Sequence, residues 1–125
     1  MIDKLPPPHR EFESDLRKFL RGLWGVELAE RSVLIGAVTK KFDLVSEDKA
    51  YVGDAKYLKN NLVPAAKFST IAEYVWLLSK TQAKHKFLVF GNDRELPEHW
   101  LKRFGSILGD VELYFFAGSD LTRLA

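Results

Sequence analysis

From Phe12 onward apolar residues recur at helical spacing (Phe12, Leu16, Phe19, Leu20, Leu23) with charged residues between them. This pattern predicts an amphipathic helix over about residues 10–23, ended by Gly22 and Gly25. Ahead of it, Pro6 to Pro8 give residues 1–9 the character of a stiff, extended lead-in. The period then shortens. "SVLIGAV" (32–38), "FDLVS" (42–46) and "YVGDAKYL" (51–58) are β-rich runs parted by turns at 39–41 and 47–50, which predicts an antiparallel meander. "NNLVP" at 60–64 breaks the chain, and helical spacing returns over 65–80 through Phe68, Ile71, Ala72, Val75 and Leu78. Thr70 and Glu73 have the spacing of a capping box for a helix that starts late. "KFLVF" (86–90) is continuously apolar, as expected of a strand buried on both faces. "LPEHWLKRFGSIL" (96–108) reads as a helix with Pro97 near its start and Gly109 past its end, and "VELYFF" (111–116) reads as the last strand.

The resulting order is α-β-β-β-α-β-α-β. Strands separated by helices imply right-handed crossovers and parallel pairing in the C-terminal half, so the expected fold is α/β, a mixed sheet with helices on both faces. A length of 125 residues fits one domain, 1–125. A hydrophobic content of 46% supplies enough apolar surface for a folded core. No apolar run is long enough for a membrane span and the first residues lack the pattern of a secretory leader, so the expectation is a cytoplasmic protein without a membrane partner. The chain has no cysteine, which removes disulfides, thiolate metal sites and cysteine nucleophiles, and His9, His85 and His99 lack ligand spacing.

Chemistry enters through the second and third strands. Alternation puts Asp54 and Lys56 on one face of their strand, with Val52 and Leu58, and Gly53, Ala55 and Tyr57 on the other. A four-residue loop from Glu47 to Ala50 closing a Ser46–Tyr51 pair would set Asp43 opposite Asp54. Two facing carboxylates repel unless a positive charge lies between them. Magnesium suits the position because it takes one or two carboxylates and fills its remaining sites with water and phosphate oxygens. Lys56 would then stand beside the phosphate and an attacking water. Net charge is only +2, yet six lysines (Lys40, Lys41, Lys49, Lys56, Lys59, Lys67) outnumber four acids between residues 33 and 67. The surroundings of the acidic pair are therefore expected to be basic.

Asp43 followed by "Gly53-Asp54-Ala55-Lys56" resembles the D...(D/E)xK signature of the PD-(D/E)xK, or restriction endonuclease-like, nuclease superfamily. The resemblance extends to the α-β-β-β-α-β order and is nearest to the compact members, although Phe42 stands where the signature often has proline. It implies a restriction endonuclease-like fold and hydrolysis of a phosphodiester, DNA in preference to RNA, with Mg²⁺ or Mn²⁺ as cofactor. The implied metal ligands are Asp43, Asp54, the backbone carbonyl of Ala55 and Glu13 from the first helix, with Lys56 assisting the water. Glu27 and Glu30 compete for the place given to Glu13. Lys41, Lys59, Lys67 and Asn60 are the candidate nucleic-acid contacts, with Glu73 and Arg94 as further candidates. A homodimer is the natural form for cutting both strands of a duplex.

The competing readings are less specific. A D-x-K triplet on a strand is more often an exposed ion pair, contributing ~0–1 kcal/mol. A second alternative is a catalytically inactive module of the same fold that binds nucleic acid or a protein partner, and a third is an assembly domain with an incidental acidic pair. Trp24, Trp76 and Trp100 sit in apolar helical surroundings and read as core or interface packing. No phosphate-binding glycine loop or nucleophile elbow is present, and "GSD" (118–120) falls in the expected tail.

Overall fold

A computed structural model of the chain describes residues 7–59 and 64–125, for Pro7, Pro64 and Ala65 the backbone alone. The elements are α1 (Pro7–Trp24), β1 (Leu28–Ile35), β2 (Val38–Ser46), β3 (Tyr51–Tyr57), α2 (Pro64–Ser79), β4 (His85–Gly91), α3 (Glu95–Phe104) with a short 3₁₀ turn after it, β5 (Val111–Ala117) and β6 (Asp120–Arg123). They build an open six-stranded sheet in the order β1-β2-β3-β4-β5-β6. The first three strands form the expected antiparallel meander, and β3, β4 and β5 run parallel. Two right-handed crossovers stepping in one direction must leave their helices on one side of the sheet. Accordingly α2 and α3 pack through Ile71, Val75, Leu78 and Trp100 on Phe42, Val52, Leu88, Phe90 and Leu113. Helix α1 covers the other side, with Phe12, Leu16 and Leu20 on Leu44, Ala55, Phe87, Val89 and Phe116. As the central strand, β4 is buried on both faces from Lys86 to Gly91.

Several expectations move. Helix α1 begins at Pro7, so residues 7–9 are helical and not extended; proline is tolerated in a first turn, where no intrahelical N–H partner is needed. The run "SVLIGAV" is not one strand. Its Gly36, at φ +61°, opens a two-residue turn with Ala37 that pairs Ile35 with Val38, so β2 starts before the expected turn at 39–41. Helix α2 begins at Pro64, which leaves Thr70 inside it, bonding back to the Ala66 carbonyl at 3.1 Å and not capping with Glu73. The chain also adds β6, so Gly118 (φ +64°) turns a hairpin from Ala117 to Asp120 and does not lie in a tail.

Two close approaches fix the layers. A Cβ on Gly53 would fall 2.4 Å from the Phe87 ring, its neighbour on β4, and one on Gly91 would fall 2.3 Å from the Phe12 ring of α1. Glycine at 91 therefore lets α1 sit down on the sheet, and Glu13 follows Phe12 directly in that helix.

Candidate active site

The loop between β2 and β3 sets the geometry. The Ser46 hydroxyl accepts the Tyr51 N–H at 3.0 Å and donates to Asp48 at 2.7 Å, while Asp48 also accepts the Ala50 N–H at 3.0 Å. These bonds hold the Asp48 carboxyl below its ordinary pKa, the Ala50 N–H foremost. Lys49 takes a left-handed conformation, φ 61°, to complete the four-residue loop. Val45 consequently pairs with Val52 and Leu44 with Gly53, the register that brings Asp43 level with Asp54.

At that point the two strands exchange side-chain bonds for ladder bonds. The Asp43 N–H donates to Asp54 Oδ1 at 2.9 Å, and the Ala55 N–H donates to Asp43 Oδ2 at 3.2 Å. Each carboxylate thus satisfies a backbone donor of the opposite strand, where backbone pairing stops. On its other side β2 carries a bulge. Ala29 pairs with Val45 but Arg31 pairs with Phe42, so Asp43 and Leu44 together oppose Glu30. The bulge explains why Phe42 packs on the α2 side while Leu44 packs on the α1 side, which strict alternation would forbid. It also turns Asp43 into the opening between β2 and β3.

Asp54 is 3% exposed, and its Oδ2 lies 2.7 Å from the Lys56 ammonium. Burial raises the Asp54 pKa, the Lys56 charge opposes this and Asp43 adds to it, leaving the carboxyl pushed up to about 7. Burial acts to lower the Lys56 pKa, but the Asp54 charge and hydrogen bond, joined by the Tyr74 hydroxyl, together outweigh it and hold that pKa above the ordinary lysine value. The same ammonium stands 3.3 Å above the Tyr74 ring of α2. Glu13 reaches the opening from α1 and is raised by burial and by Asp43, against the pull of Arg17 at 3.2 Å. Arg17 also donates to the Asp43 carbonyl at 3.0 Å, tying α1 to the bulge.

These groups line one cleft of about 460 Å³, which takes in Glu13, Lys41, Asp43, Asp54, Ala55, Lys56 and Lys67. All of these were expected at the site. Lys59 is exposed beyond the end of β3, Asn60 lies outside the described residues, Glu73 is exposed on α2 and is not in the lining, and Arg94 pairs with Glu98 at the start of α3 in a different cavity. Of the competitors for the Glu13 position, Glu30 lines the cleft and Glu27 pairs with Arg21 at 3.6 Å outside it. Sequence reasoning missed His9, Thr70 and Tyr74. The signal for the last two was the spacing of Lys67, Thr70, Ile71 and Tyr74, which is one face of α2. Trp100 is wholly buried and Trp24 packs on Phe87, whereas Trp76 is 60% exposed.

Among the described residues no three His, Cys, Asp or Glu side chains gather as a self-sufficient metal site. What the cleft offers is a pair of facing carboxylates, one of them buried and raised in pKa, beside the Ala55 backbone. That donor set fits a hard cation which takes one or two carboxylates and leaves its other positions to water and substrate oxygens. No helix among the described residues is long and apolar enough to cross a membrane. No protein-family model, curated protein or solved structure matches the chain.

Proposed function

We propose that the protein is a metal-dependent nuclease of restriction endonuclease-like fold that hydrolyses phosphodiester bonds, in DNA by preference. The observation that carries this reading is the pair of side-chain bonds across the β2–β3 opening, Asp54 accepting the Asp43 N–H and Asp43 accepting the Ala55 N–H, with Lys56 on the other oxygen of Asp54. Asp43, Asp54 and the Ala55 carbonyl would hold Mg²⁺ or Mn²⁺, with Glu13 at the margin. A dication there would supply a Lewis acid for a phosphate oxygen and lower the pKa of water. Once the Asp54 carboxylate is otherwise neutralised, the Lys56 ammonium is free to orient the attacking water and offset charge developing on phosphorus. Its position over the Tyr74 ring keeps it in the cleft during that exchange. Lys41 and Lys67, on opposite walls, suit the flanking phosphates.

Incubating labelled linear, single-stranded and four-way-junction DNA with the protein, with and without Mn²⁺, tests the reading. Cleavage should require the metal, and Lys56→Ala should lower it by about 10²–10⁴-fold while much of the DNA affinity remains. Absence of metal-dependent cleavage on every substrate would defeat the proposal.

A second reading is favoured by the 2.7 Å Lys56–Asp54 pair, which neutralises the buried carboxylate from within the protein. On that reading the domain is an inactive nuclease-like module that binds nucleic acid or a protein. Calorimetry separates the two: Mn²⁺ binding that vanishes in Asp54→Asn belongs to the enzyme alone.

A further inference from the structure

Strand β2 pairs with β3 only through Leu44 and Val45. From Phe42 to Val38 its one partner among the described residues is β1, over five pairs that run from Arg31–Phe42 to Ile35–Val38. Past the bulge, therefore, the sheet narrows to a two-stranded antiparallel ribbon, four steps of about 3.4 Å and so roughly 14 Å long. One face of the ribbon is occupied. Val33 and Ile35 are buried in the core with Ile71 and Val75 of α2, and Lys40, the partner of Val33, holds its ammonium 5.1 Å from the Tyr74 ring.

Alternation sends the remaining side chains to the other face. Ser32 and Leu34 stand there opposite Lys41 and Thr39, and all four are exposed, Leu34 by 62%. The core under α1 takes Leu28 and Leu44 from these two strands and nothing between residues 32 and 41, so this face has no cover. Residues 31–42 include three basic residues and no acid. Arg31 is committed to the Val45 carbonyl and Lys40 lies on the covered side, which leaves Lys41 as the cation of the open face. Acids begin only where the ribbon meets the sheet, with Glu30 and Asp43 in the cleft, and Lys41 lines that cleft as well. The open face and the cleft are therefore one continuous surface.

We infer that the open face of the ribbon reads duplex DNA in the major groove, with Lys41 on phosphate at the edge of the groove and Ser32, Leu34 and Thr39 against the base edges. Two strands about 4.8 Å apart, with their side chains, enter a groove about 12 Å wide but not one of about 6 Å. Hydroxyls bond to base edges of either kind, and a leucine suits the thymine methyl group, which lies in the major groove alone. A length of roughly 14 Å spans about four base pairs. The inference rests on the nuclease reading for the phosphate in the cleft, and it adds to that reading a preference for duplex that holds a short, thymine-containing sequence beside the point of cleavage.

Selection from a pool of duplexes with a randomised centre tests this by binding alone, run in chelator and again in Ca²⁺, a hard cation that takes oxygen donors. A short motif containing thymine should be enriched, and the selected duplex should bind at least about ten-fold more tightly than a scrambled one in anisotropy titrations. Replacing the thymines of the motif by uracil, which removes only the groove methyl, should weaken binding several-fold, whereas the same change in the flanks should not. The double variant Leu34→Ala with Thr39→Ala, at two exposed positions, should bind both duplexes alike while keeping the wild-type affinity for the scrambled one, with circular dichroism to check its fold. Absence of an enriched motif under both conditions, or a motif that the double variant reads as well as wild type, would overturn the inference. So would a wild-type dimer in sedimentation that Leu34→Ala splits with no change in DNA selectivity, since the face would then join two copies of the chain. Selective binding without metal-dependent cleavage would sink the nuclease reading and leave the ribbon's role standing; cleavage without sequence selection would do the reverse.

Discussion

Two side chains at the centre of the cleft oppose each other energetically, because Asp54 is buried where its charge is costly and Lys56 offsets only part of that cost. In an unfolded chain an aspartate titrates near 3.9, roughly three units below the folded value. Between those pH values the folded protein holds a proton that the unfolded chain has released, so this group lowers stability as pH rises from about 4 to 7. Relative to Asp54→Asn, the wild-type melting temperature in chelator should therefore fall between pH 5 and pH 8. If the cleft holds a dication as proposed, saturating Mn²⁺ should reverse the trend, since a cation takes the ionised form. Parallel pH profiles for the two proteins would show that Asp54 is not raised. Tyr74 allows a finer test. Its ring lies under the Lys56 ammonium and its hydroxyl also acts on that group, so on the proposed function Tyr74→Phe, which keeps the ring, should retain more cleavage than Tyr74→Leu, which loses in addition a ring contact of about 0.5–2 kcal/mol.

Elements bring these residues together through contacts remote from the cleft. Gly91→Ala would drive a methyl group into the Phe12 ring and push α1 from the sheet, carrying Glu13 and Arg17 away from Asp43. A loss of about 1–3 kcal/mol in chemical denaturation is expected from the overpacking. Gly22→Ala, where nothing lies within 4 Å, should be neutral or slightly stabilising. The same level separates what was legible in the sequence from what was not. The Asp43–Asp54 register could be read because loop length and alternation determine it, and Ser46 and Asp48 close the loop as turn residues do. The bulge at Asp43 could not, because an extra residue in one strand leaves the apolar pattern of "FDLV" unchanged while altering where each side chain points. The β1–β2 turn was misplaced because Gly36 and Ala37 stand inside an unbroken apolar run. Strand β6 was overlooked because its four residues, Asp120 to Arg123, are mostly polar, as suits an edge strand.

At the scale of the whole molecule, a net charge of +2 gives little general attraction to a polyanion. On the proposed function, affinity for DNA would have to come from where the charges lie. The cleft gathers Lys41, Lys56 and Lys67 beside the carboxylates of Glu13, Glu30, Asp43 and Asp54, so on the proposed function these lysines would meet phosphate once a cation offsets the acids. If those three lysines make the phosphate contacts, the logarithm of the binding constant should fall with the logarithm of salt at a slope of about −2 for single strands and about −2.7 for duplex. Raising salt from 50 to 200 mM would then weaken binding by roughly 20- to 40-fold. Lys67→Ala should reduce the slope by about one contact, close to 0.7 on single strands, and lower affinity alike for every base sequence. A slope near zero in fluorescence titrations would mean that the lysines of the cleft pair within the protein and not with DNA.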